Sequence, residues 1–231
     1  VNQAARNPKA WKQLKPVAAA VAAWAIDLVF PPICGHCHRV DTKFCGECLR
    51  KLEQLPLQGT ARRADNLDTV FATGPHVGVL QSAVQAFKYQ GATELADVLA
   101  RRLICALALV NLQVDFILPV PLHNNRLAER GYNQAEILCQ FVAAELNMCC
   151  EPGLLRRVRN TKQQAHLKAA ERKLNVKGAF EVVSDVQGRV LLLVDDVITT
   201  GATLSDCARA LRDEGAAAVF GIVVSEPRRS D

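Results

Sequence analysis

Two adjacent carboxylates, Asp195 and Asp196, stand at the end of an apolar run and just before the turn Thr199-Thr200-Gly201-Ala202-Thr203. Carboxylates accept hydrogen bonds from vicinal sugar hydroxyls, directly or through Mg2+. The turn offers hydroxyls and backbone N–H groups around a glycine that can take positive φ, and the helical pattern Leu204, Cys207, Ala208, Leu211 starts directly after it. A phosphate in such a turn also meets the positive end of the helix. The combination describes a cradle for a sugar phosphate. The plainer alternative is an N-cap closing a core strand, but capping uses one such residue and this run has two Asp and three Thr.

A second constellation lies far upstream. Cys34-Gly35-His36-Cys37 and Cys45-Gly46-Glu47-Cys48 are two CxxC pairs separated by seven residues. Each pair is a tight knuckle, and two knuckles supply four thiolates for tetrahedral zinc in a compact site. Disulfides or a redox CxxC remain as alternatives, since nine cysteines is a high count for 231 residues. The odd total argues against full pairing, and the other five (105, 139, 149, 150 and 207) lie mostly in apolar patterns, as buried free thiols do. His36 and His38 flank Cys37; with four cysteines at hand both are read as solvent-facing.

The run RVLLLVDDVITTGAT (189–203) resembles the phosphoribosyl-diphosphate (PRPP) motif of type I phosphoribosyltransferases. By that resemblance Asp195 and Asp196 take the ribose hydroxyls and serve the chemistry, while Thr199, Thr200, Gly201, Ala202 and Thr203 take the 5′-phosphate. Four further stretches, in order, make the chain similar to the ComF family of bacterial proteins: FPPICGHCHRVDTKFCGECL (30–49), AFKYQG (86–91), LPVPLHNNRLAERGYNQAEIL (118–138) and LRRVRNTKQQAHLKAAERKLNVKGAFEV (155–182). The resemblance puts the pyrophosphate of PRPP, with its Mg2+, at Pro119-Val120-Pro121-Leu122. Arg126 and Arg130, four apart, could add cationic contacts to so charged a group; the alternative for them, and for Lys88, is an ordinary solvated helix face.

The resemblance also implies a role in natural competence, the uptake and processing of transforming DNA at the inner membrane. Two functions stay open. One is phosphoribosyl transfer to an acceptor whose pocket the sequence does not display. The other is a PRPP-responsive protein that binds single-stranded DNA or proteins of the competence machinery. Arg156 to Lys177 holds eight Lys or Arg and one Glu, which suits either a closing catalytic loop or an electrostatic path for a single strand. A solvated charged helix is the third reading of that segment.

The elements that must position these groups follow from periodicity. Val190 to Val194 is apolar without alternation, as suits a strand covered on both faces in a parallel sheet. Strands are expected at 70–72, 115–120, near 154, at 180–183 and at 217–224, with helices over 79–89, 94–110 and 133–146. The alternation gives an α/β, doubly wound parallel sheet of the type I phosphoribosyltransferase kind, preceded by a small helix and zinc-knuckle module. The expected division is 1–55 and 67–231, with the polar stretch 57–66 as a linker.

Half of the residues are apolar and 22% are charged, which excludes a disordered chain, and the net charge of +5 is modest. Basic residues from Arg6 to Lys15 precede an apolar stretch at 17–30 that imitates a secretory signal. Asp27, Pro31-Pro32 and the thiolate cluster break the imitation, and fourteen residues are few for a bilayer. The expectation is a helix beside the knuckle, no transmembrane segment, and a cytoplasmic protein, with a peripheral place at the inner membrane as the variant.

Overall fold

The computed structural model describes residues 31–159 and 178–228. The helix expected over 17–30 and most of the basic segment, 160–177, lie outside the described residues. A five-stranded sheet organises the rest, in the order β1-β2-β7-β6-β3, where β1 is Thr60–Ala64, β2 Leu67–Ala72, β3 Phe116–Pro119, β6 Val190–Val197 and β7 Ala218–Ser225. β2, β7, β6 and β3 run parallel, and only β1 is antiparallel, at the edge. A separate antiparallel pair joins β4 (Leu155–Arg157) to β5 (Phe180–Val182).

The apolar run of β6 serves two cores. Leu192 and Val194 face one side, with α2 (Gly78–Tyr89), α3 (Ala96–Ala108) and α5 (Gln134–Glu145); Leu191 and Leu193 face the other, with α6 (Ala202–Asp213) and β5. Each such fully buried leucine contributes about 1.5–3 kcal/mol, and successive residues point to opposite faces, so a strand covered twice has no polar side to spare. Helices thus cover both faces of a mostly parallel sheet, the expected α/β class.

The stretch 57–66 is not a linker. Its Thr60, Arg62 and Ala64 alternate inward with period two, and Asn66 takes φ 65° in the tight turn to β2, so residues 60–64 form the edge strand. The polar composition concealed it, because an edge strand needs only one half-buried face. Upstream, α1 (Gly46–Glu53) begins inside the second CxxC pair, and its Leu52 joins the core beneath α2 and α3. Arg102 of α3, 6% exposed, donates to the carbonyls of Leu55 (2.6 Å), Pro56 (3.3 Å) and Thr73 (3.4 Å). That buried guanidinium fixes the chain where it leaves the cysteine module for the sheet.

Among the described residues, no helix is long and apolar enough to cross a membrane.

Candidate sugar-phosphate site and cysteine cluster

Asp195 and Asp196 lie in the last turn of pleat of β6, which runs three residues further than its apolar run suggests. On one side β3 delivers Pro119-Val120-Pro121-Leu122, and the Val120 N–H donates to Val194 O at 2.9 Å, so this loop starts beside the acidic pair. On the other side β7 ends at Ser225, whose carbonyl accepts from Ile198 N at 3.1 Å. The turn Thr199–Thr203 then leads into α6. Gly201 sits at φ 80° as the residue before the helix, and the Thr200 hydroxyl accepts from Ala202 N at 3.4 Å. The two expected loops therefore converge at the C-terminal ends of adjacent parallel strands, where open α/β sheets bind ligands.

Gly201→Ala is expected to cost about 1–2 kcal/mol, because a Cβ at that φ meets the local backbone even though the space around it is ordinary. A thermal melt superimposable on the wild type would refute this.

The acidic pair is electrostatically unequal. Asp196 is 4% exposed and its Oδ1 lies 2.9 Å from Lys88 Nζ. Burial works against the Lys88 ammonium, yet Asp196 and Asp195 together hold its pKa above the ordinary value. Lys88 is thus no solvated-face residue: its side chain keeps 25% exposure and serves Asp196. Burial, reinforced by the Asp196 charge, pushes the Asp195 carboxyl up to about 7, against the pull of Lys88 and the Asp196 N–H at 2.8 Å.

A folded-state pKa raised above the unfolded one makes Asp195 least costly when protonated. Its contribution to stability is fully present below about pH 4 and is lost as pH rises through about 7. A cation arriving at the pair should expel that proton. Binding of a Mg2+ complex is therefore expected to tighten between pH 6 and 8 with proton release, read by calorimetry in buffers of different ionisation enthalpy. Asp195→Asn should flatten the dependence; an unchanged slope would refute the assignment.

The motif Gly131-Tyr132-Asn133-Gln134 holds the site together. Asn133 caps α5 by accepting from Ala135 N (3.1 Å) and donates to Val120 O (3.1 Å), anchoring the 119–122 loop. Tyr132 Oη donates to Phe87 O, and Gln134 Nε2 donates to Lys88 O at 3.4 Å, so the same motif grips the helix end that carries Lys88. Arg126 and Arg130 stand on a short helix, α4 (Asn124–Arg130), that follows the loop. Arg126 pairs with Glu129 at 3.1 Å; Arg130 binds Gln134 and stacks 5.3 Å over Tyr89. Neither is a plain solvated residue.

Sequence reasoning overlooked the groups on the β1–β2–β7 side. Arg62 reaches from β1 to Thr199 O (3.4 Å) and to Glu226 Oε2 (3.5 Å), and Thr60 donates to the other Glu226 oxygen. His76 Nδ1 lies 2.8 Å from the Ser225 hydroxyl, and burial together with Lys88 lowers its pKa. The sequence Thr-Ala-Arg-Arg-Ala does not alternate in polarity, so Arg62 carried no local signal, and nothing local marks His76 or Glu226 either.

The four cysteines gather as well. Their sulfurs all lie within 4.8 Å of one another, with Cys34, Cys45 and Cys48 buried and Cys37 exposed. Cys45 N donates to Cys34 Sγ at 3.4 Å, and Cys34 N to Arg39 O at 2.8 Å, which closes the first knuckle. The spacing suits a tetrahedral ion, whose ligand sulfurs stand at about 2.3 Å from the metal. Burial raises the Cys34 thiol, but hydrogen bonds from surrounding backbone outweigh it and bring its pKa down to about 6, whereas burial and neighbouring sulfurs push Cys48 up. His38 is exposed as expected, but His36 is not solvent-facing: its Nδ1 lies 3.1 Å from Ser82 Oγ on α2. Among the other five cysteines, Cys105 and Cys149 are exposed, contrary to the buried-thiol expectation.

A model of the phosphoribosyl synthetase-associated domain matches residues 150–227. Among solved structures the chain is similar to a glutamine PRPP amidotransferase from B. subtilis, at a TM-score of 0.39 and 20% identity over 55% of this chain and 25% of that one. Among curated proteins it is 32% identical over 194 residues to the DNA utilization protein YhgH of Escherichia coli K12, covering 81% of this chain and 86% of that one. It is 33% identical over 195 residues to competence protein F of Haemophilus influenzae, covering 80% of each. With identity at that level across most of both chains, the protein belongs to the ComF family of competence and DNA utilization proteins.

Proposed function

We propose that the protein binds PRPP with Mg2+ at the C-terminal end of β6 and acts in the utilisation of incoming DNA. The observation that carries this reading is the convergence of the acidic pair, the Gly201 turn at the start of α6 and the 119–122 loop on two adjacent strand ends. Asp195 and Asp196 accept the ribose hydroxyls. Thr199, Thr200, Gly201, Ala202 and Thr203 surround the 5′-phosphate, and Val120, Pro121 and Leu122 face the pyrophosphate. Arg126 and Arg130, on the helix that follows that loop, add cationic contacts to the ligand.

Hard carboxylate oxygens at the strand end fit Mg2+, which commonly takes one or two protein carboxylates and the rest of its shell from phosphate and water. When bound, the ion supplies charge neutralisation on the pyrophosphate. The carboxylates also favour positive charge developing on the ribose as the leaving group departs. The cysteine cluster is read as a structural Zn2+ site, since all four positions are thiols and leave no open position. As units, 1–55 and 67–231 are read as a zinc module and a phosphoribosyltransferase-like domain, the second extended by the edge strand 60–64.

Two uses of the PRPP site are distinguished by one experiment. Calorimetric titration of PRPP with Mg2+, with pyrophosphate release followed in parallel, should show binding at the site. Release that depends on an added base or nucleic acid makes the protein a transferase. Binding without release makes PRPP a regulator of a DNA- or partner-binding protein, a reading supported by its similarity to a DNA utilization protein and a competence protein and by Arg156 and Arg157 beside the 119–122 loop. No binding at all overturns the proposal. PRPP and Mg2+ fit work in the cytoplasm, with a peripheral association at the inner membrane where DNA enters.

A further inference from the structure

Cys139 and Cys150 belong neither to the sugar-phosphate site nor to the four-cysteine cluster, and they face each other. Their sulfurs lie 2.7 Å apart, Cys139 fully buried on α5 and Cys150 half-buried just before β4. Both are fixed by the same residue of β3. Cys139 Sγ donates to Ile117 O (3.5 Å), while Ile117 N donates to Cys149 O (3.1 Å) and Glu151 N to Ile117 O (3.0 Å). Cys150 is thereby the bridge partner of Ile117. Backbone anchors, not long flexible side chains, hold the thiols together, and only a small approach separates them from the roughly 2.05 Å of an S–S bond.

The two segments that carry these cysteines also line a cleft of about 560 Å3, although neither cysteine reaches it. One wall comes from the start of α5 through its cap Asn133 and Glu136, the other from Pro152, Leu155 and Arg156, and Pro121 also lines it. Cys139 is one helical turn beyond Glu136, and Cys150 precedes Pro152 by two residues. We propose that Cys139 and Cys150 form a reversible dithiol–disulfide pair whose oxidation staples the two walls of this cleft beside the 119–122 loop.

The oxidant class is a small-molecule disulfide such as glutathione disulfide. The Cys150 thiolate attacks one of its sulfurs, a mixed disulfide forms, and the first glutathione leaves and takes up the proton. Cys139 then loses its proton and attacks the Cys150 sulfur, forming the internal bond and releasing the second glutathione. Two protein thiols are oxidised by two electrons and one disulfide is reduced to two thiols. Half-exposed Cys150 starts the exchange because Cys139 is shut away from solvent, and burial also holds the Cys139 thiol well above its ordinary pKa. Exposed Cys149 is the competitor that the test must remove.

The test uses the full chain carrying Cys149→Ser, loaded with zinc and equilibrated without denaturant in glutathione buffers of increasing oxidation. Free thiols are blocked with N-ethylmaleimide, and non-reduced peptides are mapped by mass. The expected product joins the Cys139 and Cys150 peptides, lighter by two hydrogens than the free pair, with zinc content unchanged. Amide exchange over 150–158 should slow roughly threefold or more on oxidation and recover with dithiothreitol. Cys150→Ser should keep the reduced exchange rate in every buffer. The proposal is overturned if both thiols remain alkylatable in the most oxidising buffer, or if Cys139 or Cys150 pairs instead with a knuckle cysteine. It is equally overturned if exchange is unmoved by the bond or slows as much in Cys150→Ser.

Discussion

If PRPP binds as proposed, Asp196→Asn is expected to weaken Mg2+–PRPP binding by at least about 100-fold, in line with the 2–5 kcal/mol lost when one partner of a buried, hydrogen-bonded charge pair is removed. The side chain is 4% exposed, so water cannot take its place, and the amide cannot balance Lys88 at 2.9 Å. The variant should therefore lose both the proposed acceptor for the ribose hydroxyls and the charge that keeps the neighbouring ammonium settled. Some of the damage is stability: breaking such a pair costs up to about 3–5 kcal/mol, less here because Lys88 retains a quarter of its exposure. The double variant Asp196→Asn, Lys88→Met separates the two effects. It should recover most of the melting temperature and none of the binding. Titration of all three proteins checks this, and restored binding in the double variant would mean that Asp196 acts only through Lys88.

Cys48→Ser is expected to lose nearly all bound zinc, read from about one equivalent in the wild type by a chromogenic chelator. Its melting temperature should fall by about 10 °C or more, since a structural zinc supplies many kcal/mol of folding free energy to a small module. Cys48 is fully buried and belongs to the same apolar cluster as Leu52, Leu80, Ala83 and Phe87. The knuckle also clasps α2 directly, through His36 and Ser82 and through Lys43 Nζ donating to Gly91 O at 3.1 Å. Because α2 ends one residue after Lys88, loosening the knuckle should weaken PRPP binding as well, and chelation of the wild type should reproduce both losses. A Cys48→Ser protein with full zinc and an unchanged melt would sink the structural-zinc assignment.

Much of this was legible without coordinates because it is local. The apolar run at 190–194 reported its double burial directly, since a strand covered on both faces cannot alternate. Spacing alone brought the cysteines into two knuckles, and the turn around Gly201 needed a residue free to take φ 80°. Helix bounds missed by only a residue or two, as for 79–89 against Gly78–Tyr89, because capping and the apolar stripe are both properties of neighbours in sequence.

What the sequence left undecided depends on residues far apart in the chain. Thr60 to Ala64 read as a linker because an edge strand hydrogen-bonds on one side only, and its partner β2 supplies the order that its composition does not. The role of Lys88 was open because its meaning lies in Asp196, 108 positions away, and that of His76 in Ser225, 149 positions away. Arg130 stood between a cationic contact to the ligand and a solvated helix face, and folding placed the Tyr89 ring under it. The sequence by itself determined which strands and turns carry the acidic pair, the hydroxyls and the thiols. Only the tertiary structure decided which charges are buried together. Burial and a close partner set the state of a carboxylate or an ammonium, and both are properties of the assembled fold.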